Sequence, residues 1–174
     1  MKYCAFLRGV NVKGTNMKMA DVCKVFKDAG MENVTSVLAS GNIIFSSDKK
    51  AEDVKVILEK SMSEYFNYEA FLFLKTEKET KNIWNANPFD RIADFHTYVF
   101  VGNEQIENVL MKEFQEAVKT ENEKAEITNH IFYWQVPKGN TLDSSFGKIL
   151  GKKSLKDQFT SRNLNTFEKI IKKF

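Results

Sequence analysis

The sequence predicts an α+β fold of two ferredoxin-like βαββαβ halves in tandem, with antiparallel sheets and helices packed on one face of each. Three observations carry this. Apolar residues switch repeatedly between runs fit for strands and the 3.6-residue spacing of helices. The order strand, helix, hairpin, helix, strand fills residues 1–75, and that order is the split βαβ pattern. From about Thr97 the same order begins again.

The first half reads as follows. Lys2–Leu7 is a continuous apolar run, suited to a central strand buried on both faces. Met17–Ala29 is a helix with Met19, Val22, Cys23, Phe26 and Ala29 on one face, Thr15 or Asn16 as its N-cap and Gly30 as its stop. Val34–Leu38 and Ile43–Phe45 are strands joined through Ser40-Gly41-Asn42, so they form a hairpin. Ser46, Ser47 or Asp48 caps a helix over Ala51–Phe66, with Val54, Ile57, Leu58, Met62 and Tyr65 inward, and Ala70–Leu74 is the fourth strand. The right-handed crossover rule then gives one four-stranded antiparallel sheet.

Thr76–Trp84 is a short connecting helix, broken at Asn87-Pro88-Phe89-Asp90, because proline disfavours helix at the residue before it. In the second half, residues 76–174, Thr97–Val101 is a strand. Glu104–Lys119 is a helix with Ile106, Val109, Leu110, Phe114, Ala117 and Val118 inward. Ala125–Thr128 and Ile131–Val136 are a hairpin around Asn129-His130, Leu142–Leu150 a short helix, Gln158–Arg162 a strand and Thr166–Phe174 a closing helix. No residue-level identity links the halves. Each four-stranded sheet has a second face to cover, so either the halves pack together or the chain dimerises through a sheet.

Composition bounds the function classes. The chain has 174 residues, 43% hydrophobic and 28% charged, enough for a sizeable core. No apolar run approaches the ~20 residues of a membrane span, and the run before Arg8 is too short for a signal peptide, so a cytoplasmic protein without membrane partners is expected. Cys4 and Cys23 fall on apolar faces and read as reduced, buried thiols. No CxxC or Cys/His cluster argues for a metal, and no motif argues for haem, flavin or a nicotinamide dinucleotide, so the expected cofactor is none. Net charge is +3. Lys138 to the end holds eight Lys and Arg162 against Asp143, Asp157 and Glu168. That basic tail suits phosphate-rich partners, although a solvated lysine surface is the simpler reading. Arginine is scarce, with only Arg8, Arg91 and Arg162, and scarcity marks each as a residue placed for its rigid fork.

The stretch from Leu7 to Met17 is the most informative. Gly9 and Gly14 have phosphate-loop spacing, but Thr15-Asn16 stand where Lys and Ser/Thr are required, so a nucleoside-triphosphate loop is rejected. What remains is a glycine-rich loop running into a helix N-terminus, with Arg8 and Lys13 or Lys18 beside it. That is a place for a phosphate- or carboxylate-bearing ligand. The alternative is that the glycines and Asn11 and Asn16 only shape turns. The antiparallel pairing of the first and third strands predicts that the Arg8 loop and the Ser40 turn are neighbours. Arg162 could join them only through suitable packing of the halves.

Five motifs together resemble a family of small bacterial proteins of unknown function, the DUF1697 family. They are Leu7-Arg8-Gly9-Val10-Asn11-Val12 with Gly14 and Asn16, Met19-Ala20-Asp21, Ser40-Gly41-Asn42-Ile43-Ile44-Phe45, Asn87-Pro88-Phe89, and Thr160-Ser161-Arg162-Asn163-Leu164-Asn165-Thr166. Two departures stand out: Leu164, where many relatives look aromatic, and Ser145-Phe146-Gly147-Lys148, where relatives often carry Ser-x-Lys. The resemblance supports the duplicated fold and implies no activity. It gives weight to Arg8, Asn11, Asn16, Ser40, Asn42, Arg162 and Asn163, and with Lys18 these form the expected ligand-binding set.

No carboxylate pair, Ser-His-Asp set or Cys-His set accompanies these residues, so whether the chain is an enzyme is left open. Two other functions compete with a small-anion site. Single-stranded nucleic-acid binding is the weaker, because the third strand lacks the aromatic and cation of the RNA-recognition signature. The other is a structural module that forms a homodimer through its sheets.

Overall fold

The computed structural model describes residues 1–10 and 17–174. The chain divides into two compact units, one of residues 1–81 with 168–174, the other of residues 82–167.

In the first unit, β1 (Lys2–Leu7), β2 (Glu32–Ser36), β3 (Asn42–Ser46) and β4 (Leu72–Thr76) form one sheet in the order β2-β3-β1-β4. Both neighbours of β1 run antiparallel to it. The register Tyr3↔Phe45 and Ala5↔Ile43 sets these residues on one face. There they pack with Val22 and Phe26 of α1 (Met19–Asp28) and Val54, Leu58 and Met62 of α2 (Ala51–Phe66). Gly30, at φ +86, ends α1.

The second unit repeats the sheet. β5 (Phe95–Gly102), β6 (Lys124–Thr128), β7 (Ile131–Pro137) and β8 (Phe159–Asn163) take the order β6-β7-β5-β8, again antiparallel. Its core gathers Phe100, Phe132, Trp134, Phe146 and Phe159 with Leu110 and Phe114 of α4 (Ile106–Glu116). The remaining helices are α3 (Glu77–Asn85), which follows β4, and α5 (Leu164–Ile171), which follows β8 without a break. The fold is therefore α+β, with tandem ferredoxin-like halves. Five consecutive residues of β7, Phe132 to Val136, are buried in the single chain, so both faces of that strand are covered.

Local expectations need correction. Leu142–Leu150 is not an α-helix; the segment is turn followed by short 3-10 pieces at Gly147–Gly151 and Lys153–Leu155. Ser144 supplies a cause. Its Oγ accepts the Gly147 N–H at 2.7 Å, the donor an α-helix would give to a backbone carbonyl four residues back. The strand expected at Val34–Leu38 lies two residues earlier, because Leu38 adopts φ +62 and ends the pairing. Tyr65, Val109 and Val118 are exposed rather than inward. Lys50 holds the N-cap position of α2 with no side-chain cap bond, while Ser47 Oγ accepts the Lys49 N–H just before it. Lys18 holds the N-cap position of α1; Thr15 and Asn16 lie outside the described residues.

Candidate functional site

In the first unit the backbone brings the Arg8 segment against the Ser40 turn. Phe6 pairs with Asn42, and the Leu7 N–H donates to the Gly41 carbonyl at 2.8 Å. The approach is close: a Cβ on Gly41, which sits at φ +77, would lie 2.6 Å from Val10 Cγ2. On its other side, the Arg8 N–H donates to the Phe71 carbonyl at 3.0 Å. Asn42 is fully buried, and its Nδ2 donates to the Val37 carbonyl and to Ser40 Oγ, both at 2.9 Å. Its amide thus holds the turn closed from inside. Lys18 is exposed, and Asp21 places a carboxylate in the first turn of α1. Asn11 and Asn16 lie outside the described residues.

Close to this segment, Tyr68 Cε2 lies 3.9 Å from where a Gly9 Cβ would be. The Tyr68 hydroxyl is buried and has no hydrogen-bond partner among the described residues. Desolvation, with the Glu59 carboxylate nearby, pushes its pKa up to about 12.

The second unit builds a defined pocket of about 280 Å³ at one end of its sheet. Register explains why its parts meet. Phe95 pairs with Pro137, which sets the start of β5 beside the end of β7. Tyr98 pairs with Asn163, which sets the end of β8 on the other flank of β5. Into this corner come Arg91 from the segment before β5, Lys138 just after β7, and Asn163, Leu164 and Asn165 at the β8–α5 junction. Among the described residues, two cations line it and no carboxylate does.

Side chains tie the corner together. Arg91 Nη2 donates to Asn165 Oδ1 at 2.7 Å. Asn163 caps α5, its Oδ1 accepting the Asn165 N–H at 2.9 Å. Its Nδ2 lies 2.8 Å from His96 Nδ1.

The corresponding strand-to-helix junction of the first unit is closed differently. There Thr76 Oγ1 accepts the Glu79 N–H at 3.2 Å, and Glu79 Oε2 accepts the Thr76 N–H at 2.7 Å. This is a reciprocal capping box, and it brings the chain's own carboxylate to the start of α3. The first turn of α5 carries no acidic residue. One half therefore supplies its own anion at this position, and the other supplies two cations.

The profile of a family described as "Protein of unknown function (DUF1697)" matches residues 1–133, about three quarters of the chain. The chain belongs to the DUF1697 family. Among solved structures it is similar to the conserved bacterial protein SP0830 from Streptococcus pneumoniae, at 20% identity and a TM-score of 0.78, over 99% of this chain and 97% of that one. At that identity the likeness speaks for the fold. No curated protein matches.

In this DUF1697 protein the expected site residues are divided between the two units. Arg8, Lys18, Ser40 and Asn42 belong to the first unit, Arg162 and Asn163 to the second. Arg162 and Asn163 are adjacent in β8, so their side chains leave opposite faces of the sheet. Asn163 lines the pocket. Arg162 is buried, its Nη1 donating to Thr160 Oγ1 and to the Ser161 carbonyl, both at 2.8 Å.

Lys138 and Thr97 line the pocket without a signal in the sequence, while Asn165 belongs to the motif of residues 160–166 but not to the expected ligand-binding set. Arg91 carried one signal, its scarcity as an arginine. A larger cavity of about 640 Å³ lies between α4 and the 3-10 segment. Glu113 and Glu116 line it together with Lys148 and Lys152, so it has no dominant sign of charge. Among the described residues no His/Cys/Asp/Glu cluster could hold a metal ion, and no helix is long and apolar enough to cross a membrane.

Proposed function

We propose that this DUF1697 protein binds a small phosphate- or carboxylate-bearing molecule, and that the pocket of the second unit receives the anionic group. The single observation that carries this is the joint placement of Arg91 and Lys138 in one pocket without a lining carboxylate. A guanidinium fork and an ammonium converging on a concave site favour an oxyanion over other ligand chemistries. The α5 N-terminus adds partial positive charge from its backbone N–H groups. Arg and Asn orient and stabilise charge but make poor general bases, so binding is the reading we adopt.

A second location has its own support. Arg8 emerges from β1 directly beside the Ser40 turn, which suits an anion held between the two segments. Sheet-mediated binding of single-stranded nucleic acid has less in its favour, because such surfaces use exposed aromatics for stacking. Here the strand aromatics Tyr3, Phe45, Tyr133 and Trp134 are buried. A sheet-mediated homodimer likewise needs an open apolar face, and Phe132 to Val136 are already buried in the single chain.

The test is a thermal-shift screen with phosphate, sulfate, small carboxylates, sugar phosphates and short RNA on wild type, Arg91→Ala and Arg8→Ala. A ligand that binds only the folded state raises the melting temperature by mass action. A shift lost in Arg91→Ala and kept in Arg8→Ala supports the second-unit pocket. The converse supports the Arg8 segment, and no shift with any small anion removes the proposal.

A further inference from the structure

We infer that His96 and Asn163 form a proton-sensitive latch on the anion pocket, so that anion binding strengthens as His96 takes up a proton. This rests on the anion-binding reading above and adds its regulation.

The argument starts from the amide of Asn163. Its Oδ1 is committed to the Asn165 N–H as the cap of α5, which leaves Nδ2 facing His96 Nδ1 at 2.8 Å. An amide nitrogen only donates, so His96 Nδ1 must accept and the neutral ring carries its proton on Nε2. Protonation of Nδ1 would set two donors against each other. The contact is repaired by turning the amide half a revolution, so that Oδ1 accepts from the imidazolium. The same turn aims Nδ2 at the Asn165 N–H and breaks the cap.

A backbone N–H at the start of α5 is then released into the pocket that Arg91 and Lys138 line. The new imidazolium adds a third cation close by. An anion takes the freed donor in place of Oδ1, so proton and anion favour each other's binding. By linkage, the anion must raise the proton affinity of His96 as much as the proton raises that of the anion.

Among the described residues, the groups around His96 are few. On its own strand Tyr98 makes an edge-on ring contact at 5.8 Å. Asp94 and Arg91 lie on the segment entering β5. From β7 its pairing partner is Val136, and Lys138, whose N–H donates to the Asp94 carbonyl, lies just beyond the strand. β8 and α5 present the neutral Asn163 and Asn165. The only other histidine, His130, lies in the β6–β7 turn with Nδ1 3.5 Å from the Glu107 carboxylate.

The experiment measures sulfate affinity between about pH 8 and pH 5, the window in which histidine charges, for wild type, His96→Gln and His130→Gln. Sulfate is the probe because its own charge is constant there. The expected result is a rise of about tenfold in wild type and His130→Gln, and a flat profile in His96→Gln. An undiminished rise in His96→Gln overturns the latch while leaving the anion site standing. Absence of sulfate binding at every pH overturns the anion site itself. Independently of any anion, imidazole ¹⁵N shifts of wild type at neutral pH should report Nε2–H for His96; an Nδ1–H tautomer there also overturns the latch.

Discussion

Arg91 donates to Asn165 through Nη2 at 2.7 Å, although the two are 74 residues apart in the sequence. The contact joins the segment before β5 to the first turn of α5. Asn165 thus meets Arg91 through its side chain and Asn163 through its backbone. In the proposed reading, a ligand anion entering here would replace or extend a polar network that is already oriented.

The arginine should matter to binding far more than to folding. Arg91 is exposed, and exposed substitutions usually change stability by no more than about 0.5 kcal/mol. A hydrogen bond to a charged group is worth about 1.5–3 kcal/mol. Arg91→Ala should therefore weaken anion affinity by roughly tenfold or more while its ligand-free melting temperature stays near wild type. Arg91→Lys should recover only part of the loss, because the fork is gone. Melting temperature against anion concentration measures both.

Asn42 is the polar residue of the Ser40 turn on which folding depends. Its buried amide nitrogen supplies two hydrogen bonds. Asn42→Ala leaves the Val37 carbonyl without that donor and should cost about 1–3 kcal/mol in denaturant unfolding. Ser40→Ala removes only a half-buried hydroxyl partner and should cost less.

The Gly41 backbone allows a similar test. At φ +77, with Val10 Cγ2 2.6 Å from any added Cβ, alanine meets both backbone strain and overlap. Gly41→Ala should destabilise by about 1–3 kcal/mol, read from the midpoint of urea unfolding. Its loss should exceed that of Gly139→Ala, where φ is also positive but nothing lies within 4 Å of the new Cβ.

Two tyrosines should respond oppositely to one chemical change. Tyr133 Oη donates to the Ile83 carbonyl at 2.6 Å, so Tyr133→Phe should destabilise at pH 7. Tyr68 Oη has no partner among the described residues, so Tyr68→Phe should be neutral or stabilising. Burial raises the pKa of both, Tyr68 to about 12. A raised phenol pKa means that the folded state holds its proton where the unfolded chain releases it. That contribution is complete below the unfolded value near 10 and is lost as pH rises through the folded value. Wild type should therefore weaken between pH 10 and 12, and Tyr68→Phe should weaken less over that window. Unfolding at pH 7, 10 and 11.5 separates the cases.

What could be read from the sequence follows how local each cause is. β1 is legible because its run from Tyr3 to Leu7 is apolar without interruption. The meeting of Arg8 with the Ser40 turn is legible because antiparallel pairing fixes it once the strand order is known. The segment after β7 is not legible as 3-10, since Leu142, Phe146, Ile149 and Leu150 keep helical spacing. The Ser144 hydroxyl, which takes the Gly147 N–H, is a local competitor that periodicity does not weigh. Val118 has the same origin, because the α4 pattern runs past Glu116, where the helix stops.

The pocket was legible only in fragments. Asn163 stood out through its motif and Arg91 through the scarcity of arginine. Their meeting depends on the pairings of β5 with β7 and β8, which set residues more than seventy positions apart at one corner. Lys138 gave no signal of its own among so many lysines. The missing carboxylate at the start of α5 becomes informative only beside Glu79 in the matching junction of the first unit.

The most direct test of the anion pocket is residue-resolved NMR of the wild-type protein titrated with inorganic phosphate. The expected result is saturable movement of the Asn163, Leu164 and Asn165 backbone amides and of the Arg91 side-chain N–H signals, all with one dissociation constant. Saturable movement confined to residues outside this corner, or no saturable movement at all, would contradict the assignment of the site.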